Sequence, residues 1–489
     1  MKRISFIWIK RAAAAMLTGS LLMGILSGCQ YESFDEYLEA LGMKDPAEYQ
    51  EAGQQEPVAQ ASVEEPGAEL LLDVAETPAY EPADIDADIE RISDEGTANG
   101  FSDSSETASS KADAGYSGYY KNYDDAADDI KEKRAAVGLT DSGIEKLKRE
   151  QEGLFAYEKL TDAGKTLYVE MLAIMQNLAS DVSVSTVSDD AIELVFDYVM
   201  TDHPELFYVS GYQYTDYKLG EETSRIAFTG TYIYDAAEVA RKKTRINEAV
   251  NKCLAGAPSS TDEYQTVKYV YEYIIKNTEY DMNAADNQNI CSVFLGGRSV
   301  CNGYAKATQL LLNRLGVKCT FVTGMVTTKS GQQYRHAWNL VLCNGAHYYL
   351  DVTWGDASYQ TASGESADPT LLPEVNYDYL NVTTQEIQTQ HIISDVVPMP
   401  VCSSMTDNYY VREGEYFTSV EPALVKDLFD RKYAEGAKNV TIKCATDAVY
   451  DTLFDQLFTQ GQVFNYMQGY NPTVTYTSFE KTRTIMIWL

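Results

Sequence analysis

Histidine is scarce in this 489-residue chain, with four in all, and no Cys-x-x-Cys occurs among its eight cysteines. A zinc site built from paired Cys and His therefore has no support. No acidic loop carries calcium-binding spacing either, so neither metal nor cofactor is expected. Apolar runs of membrane-spanning length are absent. Basic residues are few: 39 Lys and Arg face 73 Asp and Glu, a net charge of −34. Such a chain repels phosphate backbones and anionic headgroups, which argues against nucleic acid as a partner. Internal repeats are missing as well.

The negative charge is concentrated. Residues 30–130 hold 27 acidic against 4 basic residues, about two thirds of the excess. This stretch is rich in Glu, Asp, Ala, Ser, Gly and Pro and cannot bury enough apolar surface to offset the entropy of ordering. Residues 29–123 are expected to be an extended, self-repelling tether. Before it, Lys2, Arg3, Lys10 and Arg11 precede an apolar run from Ala12 to Leu26, then Ser27, Gly28 and Cys29. A basic start, a short apolar core and small residues describe an export signal over 1–28. The segment Leu26-Ser27-Gly28-Cys29 resembles the lipobox of bacterial lipoproteins. That resemblance implies lipidation of Cys29 and an anchor in the outer face of the cell membrane.

Periodicity places an N-terminal α/β domain at 124–255. Helices are predicted over Ile130–Val137, Asp141–Gln151, Leu160–Ala179, Ala191–Met200 and Ala236–Cys253, with strands over Phe207–Tyr217 and Arg225–Tyr234. A core at 256–365 follows, with helices Asp262–Asn277 and Cys301–Leu315, the latter ended by Gly316. Its strands are predicted at Val317–Val326, His336–Cys343 and Ala346–Thr353. A linker at 366–410 leads to a small β-α-β-β unit at 411–489: strand Asn439–Cys444, helix Asp447–Phe458, strands Thr473–Ser478 and Thr482–Leu489. Of the remaining cysteines, Cys253, Cys291, Cys319, Cys343, Cys402 and Cys444 show no disulfide-framework spacing and read as buried thiols.

Chemistry-bearing residues cluster within fifty positions of that core. Cys301 stands in Val-Cys-Asn-Gly-Tyr-Ala, His336 in Arg-His-Ala-Trp-Asn, and Asp351 in Leu-Asp-Val-Thr-Trp. A thiol nucleophile needs a base, and the base needs a third group to fix its tautomer. At a helix N-terminus, Cys301 meets unpaired N–H groups and a positive dipole end that favour a thiolate. Its own N–H is an oxyanion donor, and Gly303 leaves room for a substrate backbone. Asn344-Gly345 signals a two-residue type I′ turn. Counting outward pairs Cys343 with Ala346, Trp338 with Asp351 and His336 with Thr353. His336 and Asp351 then share a face as diagonal neighbours, roughly 7–8 Å apart at the backbone. A one-residue slip would separate them. Asn339 falls on the other face. Trp338 and Trp354 flank the pair as packing or as a substrate wall. Tyr280 or Gln288 is a candidate second oxyanion donor, Asp356 an alternative acid in a loop, and His347 lies near the hairpin tip without a partner.

These three blocks, in order and spacing, resemble the transglutaminase-like superfamily over about a fifth of the chain. The resemblance implies an α+β, papain-like fold in which a helix-borne Cys packs on an antiparallel sheet carrying His and Asp. It implies Cys301 as nucleophile, His336 as general base and acid, and Asp351 as the orienting carboxylate. The flanking region is similar to that of exported transglutaminase-like lipoproteins of Gram-positive bacteria. The expected activity is acyl transfer from a peptide or glutamine amide of an extracellular or cell-wall substrate, to water or to an amine. A cell-wall amidase shares that chemistry. A non-catalytic binding protein retaining the fold, with its 37 tyrosines, is the alternative.

Overall fold

A computed structural model describes residues 3–5, 117–219, 222–327, 333–357, 373–469 and 473–489. Cys29 and nearly all of the expected signal and tether lie outside these residues. Arg3–Ser5 is a short strand antiparallel to Tyr214–Asp216. Among the described residues no helix is long and apolar enough to cross a membrane.

The chain folds as α+β, with three four-stranded sheets. The first is built on the long hairpin Val209–Leu219 and Glu222–Tyr232, with Val182–Ser183 on its far edge. Helices Ser117–Ala136, Asp141–Gln151, Asp162–Gln176, Asp189–Asp202 and Ala236–Ala255 surround it. Their starts follow local chemistry. Thr140, Thr161, Ser188 and Asp235 each cap a helix by accepting a backbone N–H two or three positions inside it, as short oxygen-bearing side chains do.

This region packs directly on the core that follows it. Leu167, Met171, Ile174 and Phe228 share one continuous hydrophobic cluster with Val267, Ile274 and Leu311 of the following helices. The buried Gln309 Nε2 donates to Thr201 O at 2.8 Å across the same boundary. Truncating a leucine in such a core typically costs about 2–5 kcal/mol, so the two halves stabilise each other.

The second sheet, which organises the site, has the antiparallel order His391–Ile393, Cys319–Thr327, Gln333–Cys343, Ala346–Leu350. Asn344 and Gly345 have φ of 48° and 86°, the double positive φ that a type I′ turn demands. The register runs from Cys343↔Ala346 to Asn339↔Leu350. The last strand stops there instead of reaching Thr353, so His336 and Thr353 do not pair. Asp351 accepts the Trp354 N–H at 3.0 Å, and the chain turns into the helix Val352–Ala357. A capping carboxylate overrode the β-branched residues behind it.

Residues 373–410 are not a free linker. His391–Ile393 forms an edge of the core sheet, and Tyr379, Val382, Ile387 and Cys402 bury into its face. The third sheet belongs to the C-terminal unit, in the order Tyr416–Phe417, Asn439–Cys444, Thr484–Trp488, Tyr476–Phe479. The unit is β-α-β-α-β-β, because Tyr416–Phe417 and the helix Pro422–Glu435 precede the expected elements. Pro422 at the first turn suits a helix start, where no N–H is needed. The buried Lys443 Nζ, 3.4 Å from Asp378 Oδ1, and the Thr484 hydroxyl, 2.6 Å from the same oxygen, dock this unit on the core.

Candidate active site

His336, Trp338 and Leu340 alternate along the central strand with Ala337 and Asn339, so the two sets face opposite sides of the sheet. The helix Cys301–Arg314 covers the Ala337 side. Ala305, Phe321 and Ala337 form a small cluster, and Asn339 Nδ2 donates to Ala305 O at 2.9 Å. Asn339 thus faces away from His336. The entry to this helix lies where the two sides meet. Glu279–Tyr280 pairs with Arg298–Ser299 just before Cys301, and Tyr280 packs on both the helix-side core and the tryptophan-side core. The Tyr304 hydroxyl, one turn beyond Cys301, lies 2.5 Å from Asp356 Oδ2 and 2.9 Å from Thr278 O. The start of the Cys301 helix is thereby fixed to the helix that Asp351 caps.

On the other side, His336 Nε2 lies 2.7 Å from Asp351 Oδ2. His336 Nδ1 is buried and has no hydrogen-bond partner. An imidazole bound to a carboxylate through one nitrogen keeps its second as the available base. The fully buried Asp351 is a carboxylate under opposing influences. Burial raises its pKa, but the charge and hydrogen bonds of His336 and His391 outweigh that and hold it well below the usual range.

His391 is the residue that sequence reasoning missed. Its Nε2 lies 2.9 Å from the same Asp351 Oδ2, and its ring sits 4.9 Å from that of Trp338 and 4.7 Å from that of Trp354. The available signal was a histidine opening the apolar run His391-Ile392-Ile393, a strand pattern too short to be assigned a neighbour.

Two imidazoles and a carboxylate within 4.8 Å form a donor set that suits zinc or a related metal. The 2.7 and 2.9 Å separations are hydrogen-bond distances, whereas two ligands on a tetrahedral zinc sit about 3.3 Å apart. As placed, these groups form a hydrogen-bonded cluster.

Several candidates sit elsewhere than expected. Trp338 and Trp354 are 0% and 2% exposed and pack against the imidazoles, so they wall the histidines and offer no surface to a substrate. Gly303 leaves no room for a substrate, since a Cβ there would meet the hydroxyls of Ser299 and Ser292. Gln288 is engaged with its neighbours, accepting from Asn302 Nδ2 at 2.7 Å and donating to Asn287 at 3.0 Å. Of the two oxyanion candidates, Tyr280 is the one that packs toward the tryptophans. Asp356 lies in a helix, not a loop, and burial raises its pKa to about 6. His347 is half-buried at the hairpin and held below its ordinary pKa by burial and by Lys159 and Lys318.

Cys253, Cys291, Cys319, Cys343, Cys402 and Cys444 are buried and unbridged. Burial raises the pKa of Cys253 to about 11, of Cys291, Cys343, Cys402 and Cys444 to about 12, and of Cys319 further.

The model of the transglutaminase-like superfamily matches residues 251–352. Kyphoscoliosis peptidase of Mus musculus is 27% identical and that of Homo sapiens 25% identical, each over 135 residues that make up 25% of this chain and 20% of the relative. The chain thus spans about a fifth of the length of these curated relatives. Among solved structures, a TGase aligns at 16% identity and a TM-score of 0.21, covering 29% of this chain and 43% of that one. A candidate cysteine protease from Cytophaga hutchinsonii aligns at 14% and 0.20, covering 28% and 60%. The segment bearing Cys301, His336 and Asp351 is a transglutaminase-like superfamily domain, and its hydrophobic core is continuous with that of the helices before it.

Proposed function

We propose that the chain is a thiol acyl-transfer enzyme acting on peptide or glutamine amides through Cys301, His336 and Asp351. The observation that carries it is the buried His336–Asp351 hydrogen bond, which leaves His336 Nδ1 without a partner, in a chain whose Cys301 opens a helix packed on the same sheet. In the reaction His336 takes the thiol proton and the thiolate adds to the amide carbonyl carbon. The N–H groups at the helix start stabilise the oxyanion. The imidazolium then protonates the departing amine, leaving a thioester on Cys301. Water releases an acid, and an amine gives a new amide.

The supposed export signal and the lipobox-like Cys29 support a site of action outside the membrane, on a protein or peptide of the cell surface.

A peptide library incubated with the protein, with and without a labelled primary amine, separates the outcomes by mass spectrometry: new termini for hydrolysis, incorporated amine for transfer. Iodoacetamide should label Cys301 much faster than Cys319 or Cys343, and His336→Ala should remove the difference. All three thiols are at most 5% exposed, so a rate difference reports chemistry more than access. Equal labelling of the three in wild type, with no change in any peptide, would rule the enzyme out.

A further inference from the structure

His391 follows Asp351 by 40 residues, yet shares its Oδ2 with His336. A carboxylate only accepts hydrogen bonds, so each imidazole carries a hydrogen on Nε2. The other oxygen takes the Trp354 N–H. Asp351 is therefore held from three directions: by the strand of His336, by the edge strand of His391 and by the helix it caps. Packing alone does not explain the choice of histidine at this position. A phenylalanine filling the same space would leave the buried Asp351 Oδ2 with one donor fewer.

We propose that His391 is a positioning residue, whose Nε2–H pins Asp351 so that the carboxylate holds His336 in the Nε2–H form with Nδ1 as base. The proposal rests on the reading of His336 as the base for Cys301. The two histidines are not equivalent. Burial lowers the pKa of His391, more than the hydrogen bond and charge of Asp351 raise it, and the charge of His336 pushes the same way as burial. Among the described residues the Tyr379 ring lies 6.3 Å from that of His391, and Tyr280, Tyr334, Tyr349 and Cys402 belong to the same hydrophobic cluster; hydroxyls and thiols of this kind are neutral near pH 7. His391 thus stays uncharged while His336 takes up the thiol proton. Two histidines on one oxygen also compete. Removing the His391 donor leaves Asp351 Oδ2 to His336 alone and unpins the carboxylate from the edge strand.

The test uses the full chain labelled with 15N-histidine, as wild type, His391→Gln and His391→Phe. A glutamine amide nitrogen can replace the Nε2 donor, and phenylalanine keeps the ring volume without it. In wild type, His336 and His391 should both show hydrogen on Nε2, with His391 neutral at pH 7. The 15N signals of His336 should depart from the Nε2–H pattern in His391→Phe and keep it in His391→Gln. Packing alone predicts the reverse, with phenylalanine silent and glutamine disruptive, and that result overturns the proposal. Should His391→Phe fail to fold, the wild-type spectrum decides, because a His391 charged at pH 7 or carrying its hydrogen on Nδ1 also overturns it. Cys301 labelling is followed in the same samples. Unselective labelling with intact His336–His391 coupling defeats the enzyme reading alone, whereas selective labelling without coupling defeats the positioning role alone.

Discussion

The Tyr304 hydroxyl lies 2.5 Å from Asp356 Oδ2, joining the first turn of the Cys301 helix to the helix capped by Asp351. Cys301 and Asp351 belong to segments fifty residues apart, and this bond ties one segment to the other. Tyr304→Phe removes the donor while keeping the ring in its buried place. Stability should fall by about 1.5–3 kcal/mol, the worth of a hydrogen bond to a charged acceptor, and Cys301 alkylation should slow by roughly tenfold, as a small displacement of a reacting pair does. Urea unfolding and timed labelling measure the two effects. A stable variant with unchanged labelling would remove Tyr304 from the positioning of the site.

Asp356 makes part of the stability depend on pH. Burial raises its carboxyl to about 6 although the Tyr304 bond opposes this. The folded value lies above the unfolded value of about 4, so its contribution is full below about pH 4 and is lost as pH rises through about 6. Asp356→Asn cannot titrate. The Tm of wild type relative to this variant should therefore decline between about pH 4 and pH 7. A difference that stays constant over that range would mean the carboxyl titrates normally.

Asp351→Ala strips an acceptor from His336, His391 and the Trp354 N–H together. Leaving buried donors unpaired and a helix uncapped should cost about 3–5 kcal/mol. Asp351→Asn keeps an oxygen for the cap but puts an N–H donor or a neutral oxygen before the imidazoles. It should lose less stability and nearly as much Cys301 selectivity. Denaturant midpoints together with labelling rates separate the two; a nearly neutral alanine variant would contradict this role for the carboxylate.

Gly324 pairs with His336 on one side and with Ile393 on the other. A Cβ there would run into the Ile392 carbonyl oxygen and the Trp338 ring. Gly324→Ala should destabilise the chain by about 1–3 kcal/mol and release the edge strand that carries His391. Hydrogen exchange at 391–393 should rise sharply relative to the Cys319–Thr327 strand. Retained protection at 391–393 would show that the edge absorbs the methyl group.

The legible part of the site rested on short-range rules. An Asn-Gly turn defined a register, and counting along two strands brought His336 and Asp351 together. The strand end at Leu350 was misread because Val352 and Thr353 favour strands, while the Asp351 side chain supplied a helix cap that only the three-dimensional turn reveals. His391 was missed for a different reason. Its partner lies forty residues back, and no local pattern ties a three-residue edge strand to a particular neighbour. Trp338 and Trp354 were recognised as flanking the site, but period-two alternation says which face a residue takes and not what covers that face. The shared N-terminal core was hidden likewise, since helix periodicity marks an apolar stripe without naming its partner.

The edge strand at 391–393 and the common N-terminal cluster also determine where this molecule can be cut. A fragment trimmed to residues 251–352 would lose a wall of its sheet, one of the two rings gripping Asp351, and the apolar bed beneath Val267, Ile274 and Leu311. The portion recognisable by ancestry is smaller than the portion that folds. Any domain graft or expression fragment meant to retain the site has to carry the helices before it and the segment through Cys402.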